Sequence, residues 1–346
     1  MNLTTGTASD SSSGRPAAVV TQVRTIVEPK LRRAVSSLPA PLKQMAEYHF
    51  GWSESPGELS GGGGAGKLVR PALAVCSCTA CGGERDSASS AAVAVELIHN
   101  FTLVHDDVMD CDAMRRNRPT VWSVWGVSDA ILLGDGLHAL AAQVLAAQLP
   151  VAIAGSALCR LESTVIELCR AQHEDCRTAP EPLPTIEDCE AIARGKTAAL
   201  MGCACALGAL CADADEATVA MMDRFGRELG VAFQIVDDLI GIWGDPAVTG
   251  KPAEDLARQR YTLPVVAAMQ SGTEAAAKLK MLYRRTGPLS AREVALAAEL
   301  IEEAGGRQWA QKEVDRLIVN AFSCLPARFV SPELDTLSKL MTHRKN

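Results

Sequence analysis

The chain has 346 residues, 48% of them apolar and 22% charged, with a formal net charge of −7 and a pI near 5.5. That apolar share suffices for a sizeable core in one or two domains, and the acidic balance argues against a nucleic-acid binder, which presents a basic face. Aromatic residues make up only 4% while Ala, Leu and Val dominate, which favours helices over a β-sandwich or barrel.

Residues 1–17 are mostly Ser, Thr, Gly and Asp and read as a disordered tail ahead of a single domain over 18–346. No basic segment leads into an apolar core there, so no secretion signal is visible. Helical spacing begins near Val19, with Val20, Val23, Ile26, Val27 and Leu31 recurring at three- and four-residue steps. The stretch 51–66 is rich in Gly, Ser and Pro and reads as a flexible loop. From Pro71 onward, helices are expected over 91–109, 130–149, 151–172, from 185 past Lys196, over 216–243 and over 262–270, with a loop at 244–259. Thr185 should open its helix, with Glu187 and Asp188 complementing the dipole. The segment 197–212 is apolar and rich in small residues, suited to close packing against another helix or another subunit. No uninterrupted apolar run spans a bilayer: 131–149 is broken by Asp135, His138 and glutamines, and 197–212 is too short. No segment alternates as a strand does. The expectation is a soluble, cytoplasmic, all-α protein, a single-domain helical bundle around a central cavity.

Twelve cysteines include the clusters Cys76, Cys78, Cys81 and Cys203, Cys205, Cys211. Cys78 and Cys81 have Cys-x2-Cys spacing, but no second pair or His partner completes a zinc site. They read as small core residues, with no disulfide framework.

Two acidic segments stand out. Asp106, Asp107 and Asp110 follow the apolar stretch 91–104, and Arg115 and Arg116 come shortly after. Asp237 and Asp238 lie in a second apolar helix, followed by Asp245, Gly250 and Lys251. Carboxylates in apolar helices need neutralising, and Mg²⁺ takes such oxygen ligands while binding substrate phosphates. On a helix, Asp106, Asp107 and Asp110 share one end of one face. Arginines supply bidentate phosphate donors. Lys67 and Arg70 are three apart and can point together, and Lys196 sits in an apolar helix where it needs a partner. Two metal-binding faces and two cationic sets describe a pocket for two diphosphates.

These residues resemble the trans-isoprenyl diphosphate synthases, the polyprenyl synthetase family, over nearly the whole chain from about Val19. The anchors are Gly66-Lys67-x-x-Arg70-Pro71, Glu96-x-x-His99, His105-Asp106-Asp107-x-x-Asp110 with Arg115-Arg116 and Pro119-Thr120, Gly134-Asp135, Gly195-Lys196-Thr197, and Phe233-Gln234-x-x-Asp237-Asp238 with Gly244-Asp245 and Gly250-Lys251. Their order and spacing together make the match specific. The resemblance implies the isoprenoid synthase fold of antiparallel helices, usually dimeric, and closest to bacterial geranylgeranyl diphosphate synthases. It implies three Mg²⁺ held by Asp106, Asp110 and Asp237, supported by Asp107 and Asp238. Arg115, Lys196, Thr197, Gln234, Lys251 and Arg260 would serve the allylic diphosphate, and Lys67, Arg70, His99 and Arg116 isopentenyl diphosphate. His105 and Gly134-Asp135 are read as structural. The chain departs from the family pattern at Gly241, where a third Asp is frequent, at Arg260, where Lys is usual, at Leu68, and at Asn117, which can adopt the left-handed backbone of the usual Gly. Phe101 lies five residues before Asp106, about 7.5 Å down the axis at ~1.5 Å per residue, with small Thr102 beside it; in the family this chain resembles, an aromatic there with a small neighbour implies a C20 product, C15 being the close competitor. Two alternatives remain: a terpene cyclase of the same fold, and a non-catalytic partner subunit of a synthase.

Overall fold

The computed structural model describes residues 14–55, 58–59, 68–176, 183–244, 254–285 and 287–342. Lys67 and Lys251, with Gly66, Asp245 and Gly250, lie outside the described residues. So do residues 1–13 of the expected tail, whereas 14–17 are already helical because the first helix, α1, spans Gly14–Ser36.

Helices build the molecule. After α2 (Ala40–His49) and α3 (Val69–Ala80) comes the central α4 (Ser89–Met109). It has no Gly or Pro and is apolar on every side, so it is buried all round except near its acidic end. Its neighbours are α1, α3, α6 (Val127–Gln148) and α9 (Ala199–Cys211). The long α10 (Glu216–Trp243) packs on α9 and on the helix Gly306–Ser323. Asp215 caps it, its carboxylate accepting from the Thr218 N–H at 2.7 Å. Thr185 opens α8 (Ile186–Ala193) as expected, and with Asp188 it forms a capping box there. One large core joins α1, α3, α4, α6 and α9, and two smaller apolar clusters lie against α10.

The small residues of 197–212 pack inside this chain and leave no face of α9 open to another subunit. A Cβ on Gly208 would come within 2.1 Å of the Ala74 carbonyl oxygen, and one on Gly226 within 2.5 Å of that of Met201. Backbone thus approaches backbone on both sides of α9, against α3 and against α10.

Two short strand pairs appear where none was expected: Ser53–Ser55 with Glu58–Leu59, and β3 (Met114–Arg115) with β4 (Arg118–Pro119). Two- and three-residue strands are too short to show alternation. The β3–β4 turn holds Arg116 at φ 52° and Asn117 at φ 61°, so both central residues are left-handed, as a two-residue hairpin of this twist requires. Asn117 takes this backbone readily; Arg116 does so at a steric cost.

Helix α6 is long and apolar enough, by length and composition, to cross a membrane, despite the interruptions at Asp135 and His138. Here its buried side lies against α4. Cys76, Cys78, Cys189, Cys203 and Cys205 are buried free thiols, serving as small core residues, whereas Cys111, Cys159, Cys169 and Cys176 are exposed. Burial pushes the Cys203 and Cys205 thiols up to about 12, so they are inert.

Candidate active site

The C-terminal end of α4 presents Asp106 and Asp107, with Asp110 as its cap residue. Asp107 is 2% exposed. The β3 strand returns Arg115 to it, with both Nε and Nη2 at 2.7 Å from Asp107 Oδ1. Asp110 Oδ2 pairs with Arg260 Nη2 at 2.9 Å. Burial pushes the Asp106 carboxyl up to about 6, with Asp110 adding to the rise while Lys196 and Arg115 oppose it.

Lys196 comes from a structural irregularity. Between α8 and α9 the chain makes one π-helical turn, Arg194–Ala198, where the sequence pattern had suggested unbroken helix. Single π turns re-aim side chains and recur at functional sites. Gly195 permits it, since a Cβ there would sit 2.6 Å from the Ala171 Cβ of α7 (Val151–Asp175). Lys196 Nζ then reaches Asp175 Oδ2 at 2.6 Å. The neighbouring Thr197 hydroxyl donates to Gln234 Oε1 at 2.6 Å, and Gln234 Nε2 donates to Asp238 Oδ1 at 2.8 Å. The Leu263 N–H supplies Asp238 Oδ2 at 3.3 Å. Burial nonetheless pushes Asp238 up to about 8, against the Gln234 bond.

Lys196 thus lies between the two acidic segments: its charge acts on Asp106 and Asp110, and its chain neighbour Thr197 is hydrogen-bonded through Gln234 to Asp238 on α10, where Asp237 lies half-buried. Arg260 gives a second link. Its fork faces Asp110, with Asp255 at 3.8 Å and Asp175 at 4.0 Å, a reach across three carboxylates that a lysine's point charge would not match. The departure at Gly241 also has a counterpart in space: a Cβ there would meet Asp255 Oδ2 at 3.3 Å, so another carboxylate occupies that flank.

A second cationic group lies on the other side of α4. Arg70 Nη1 approaches His99 Nε2 at 3.3 Å, so the ring accepts and its proton sits on Nδ1. Burial and then Arg70 hold His99 well below the usual histidine range. Burial also lowers Arg116, which interacts with Glu96.

A cavity of about 530 Å³ spans Phe101 and Thr102, Asp106, Met109, Leu168, Gln172 and Lys196. Phe101 stacks on His138 at 5.4 Å and meets the His105 ring edge-on at 4.9 Å. His105 also lines this cavity, and its Nε2–H donates to the Ile131 carbonyl at 3.0 Å, which holds the ring in place. Gly134 makes room for it, since a Cβ there would lie 2.1 Å from His105 Nε2.

Sequence reasoning missed Asp175, Asp255, Gln172 and Arg258, the last pairing with Asp112 at 2.8 Å. The one available signal was Lys196, an ammonium in an apolar helix that had to have a counterion.

Among the described residues no three His, Cys, Asp or Glu side chains converge closely enough to hold a metal alone. The donors are hard carboxylate oxygens, which suit Mg²⁺, an ion that binds one or two carboxylates and fills its shell with water and substrate phosphate.

The chain matches the polyprenyl synthetase family model over residues 62–301. It is 50% identical to the geranylgeranyl diphosphate synthase of Mycobacterium tuberculosis, over 95% of this chain and 94% of that protein. It is 39% identical to a (2E,6E)-farnesyl diphosphate synthase of Mycobacterium bovis, over 94% and 91%. Its fold superposes on the crystal structure of a polyprenyl synthetase from Streptomyces coelicolor A3(2) with a TM-score of 0.87, at 41% identity over 94% of this chain and 99% of that one. An all-α bundle of the isoprenoid synthase type, two acidic helix segments joined through one cationic centre, and these likenesses together establish that the chain belongs to the polyprenyl synthetase family and is a prenyltransferase.

Proposed function

We propose that this enzyme condenses isopentenyl diphosphate with an allylic diphosphate and releases geranylgeranyl diphosphate, C20. The observation that carries the product length is the cavity between Asp106 and Phe101, where the Phe101 ring is backed by His138. Arg115, Lys196, Lys251 and Arg260 bind the allylic diphosphate, with Thr197 and Gln234 beside them. Lys67, Arg70, His99 and Arg116 bind isopentenyl diphosphate. Mg²⁺, three ions per site on the family resemblance, would be held by Asp106, Asp110 and Asp237 with Asp107 and Asp238 behind them, and when bound it offsets charge on the departing diphosphate.

The chain's own groups do the rest. Lys196 and Arg260 must leave Asp175 and Asp110 for the substrate, and they stabilise the diphosphate as the allylic C–O bond breaks. The apolar wall of Leu168, Met109 and Phe101 keeps water from the allylic cation. The oxygen dipoles of Thr197 and Gln234 lie next to Lys196 and can face that cation. The isopentenyl double bond attacks, and the departed diphosphate takes the proton, since among the described residues no side-chain base stands out for it.

We place the enzyme in the cytoplasm as a homodimer. Val127, Ile131 and Leu132 on α6 are 47%, 43% and 56% exposed, an apolar face that a second copy would cover.

Purified protein incubated with Mg²⁺, isopentenyl diphosphate and dimethylallyl, geranyl or farnesyl diphosphate should yield a C20 diphosphate. A C15 end product from the shorter starters would correct the length. Hydrocarbons from a single long substrate would replace condensation with cyclisation. Phe101→Ala should shift products beyond C20; an unchanged spectrum would remove Phe101 as the floor.

A further inference from the structure

Helix α4 buries two polar side chains to which the proposed reaction gives no task. Glu96 is 4% exposed and Asn100, one turn on, is 2% exposed. Asn100 Nδ2 donates to the Glu96 carbonyl at 2.8 Å and to Glu96 Oε1 at 3.1 Å. These bonds fix the amide's orientation, so Oδ1 turns the other way. It meets Nε2 of His49, the last residue of α2, at 3.1 Å. Nε2 therefore carries the proton, and Nδ1 is the ring atom left for a ligand. A buried polar chain of this length is costly unless every member is satisfied, and it then fixes its end group rigidly.

The end group stands among cations. Burial first, and then the charges of Arg115, Arg116 and Arg118, hold the His49 imidazole down at about 3, opposed by the Asn100 bond. His49 also acts on His99. The ring is thus neutral without ligand, in a cluster of positive charge that an anion would relieve.

We propose that His49 is a further ligand for the diphosphate of the homoallylic substrate, with Asn100, braced by Glu96, as its positioning residue. This rests on the prenyltransferase reading above. When the polyanion arrives, Nδ1 takes a proton from solvent and donates it as a hydrogen bond to a diphosphate oxygen. Nε2–H stays on Asn100, whose carbonyl then faces an imidazolium.

The test is initial-rate kinetics and calorimetry on the native protein, His49→Ala and Asn100→Leu. His49→Ala should raise the KM for isopentenyl diphosphate about tenfold or more, the worth of one charge-assisted hydrogen bond, and leave the KM for the allylic diphosphate in place. Asn100→Leu should raise the same KM less. Binding of isopentenyl diphosphate alone, titrated in two buffers of different ionisation enthalpy, should show proton uptake by the native protein that His49→Ala lacks. An unchanged KM for isopentenyl diphosphate in His49→Ala, an equal rise for both substrates, or identical proton uptake overturns the proposal. Should Asn100→Leu fail to fold, His49→Ala at the half-buried end of the chain still decides. A native protein that elongates nothing would instead overturn the condensation reading.

Discussion

The carboxylates at the end of α4 and Asp238 on α10 answer their buried charge by different means. On α4 each carboxylate has a cation delivered from another element: Arg115 for Asp107, Arg260 for Asp110, and Lys196 acting on Asp106. On α10, Asp238 is met by the Gln234 amide and the Leu263 N–H, and Asp255 and Asp237 push it further up. The consequence is an acidity gap: Asp106 is raised to about 6, Asp238 to about 8. Asp106 on α4 is therefore ionised near neutral pH and ready to ligate, whereas Asp238 in metal-free protein carries a proton that a cation must displace. The cations on α4 can also transfer to an incoming diphosphate, while amide donors on α10 have no such exchange to make.

The largest effect should separate these flanks. Asp106→Asn removes a charged ligand at the flank poised for ions and should lower kcat/KM by about 10²–10³-fold, the scale of losing one electrostatic stabiliser. Asp238→Asn keeps an oxygen acceptor for Gln234 and should cost about tenfold, the worth of one neutral-for-charged hydrogen bond. Steady-state assays on both variants decide it; equal losses would erase the contrast.

Arg260→Lys sharpens the comparison on its cation side. The guanidinium addresses Asp110, Asp255 and Asp175 together, and a lysine can hold one of them well. The expected loss is about tenfold in kcat/KM, expressed in the KM for the allylic diphosphate, because a bidentate donor is replaced by a point charge. A variant with native KM would show that charge alone suffices at this position and that the fork is incidental.

How far the sequence reveals this arrangement depends on the range of the interactions. Local rules place the helices well: the Thr185 capping box, the end of α10 at Trp243, and the left-handed Asn117 each follow from a few neighbouring residues. The π turn at Lys196 does not, because the pattern of 194–198 is also compatible with α-helix and nothing local announces the close approach of Gly195 to Ala171. The roles of Asp175 and Asp255 are equally invisible, since nothing within a few residues of either marks it as a partner of Lys196 or Arg260. The small residues of α9 show the same limit in packing: their composition announces close approach, and only the fold says that α3 and α10 are what approaches.

The last effect concerns stability rather than rate and tests the acidity gap itself. A carboxyl raised above its ordinary value binds its proton more tightly in the folded than in the unfolded chain. Its contribution to stability is full below the ordinary value, here 3.8, and is lost as the pH rises through the folded value. For Asp106 that window closes near pH 6, and for Asp238 near pH 8. Thermal or urea unfolding of metal-free protein should therefore show a difference between native and Asp106→Asn that changes between pH 4 and 6 and is flat above. The difference between native and Asp238→Asn should keep changing up to pH 8. At ~1.4 kcal/mol per pKa unit the change should reach about 3 kcal/mol for Asp106 and up to about 6 kcal/mol for Asp238. If both differences level off at the same pH, the two carboxylates share one environment, and the division between a cation-answered and a proton-answered flank does not hold.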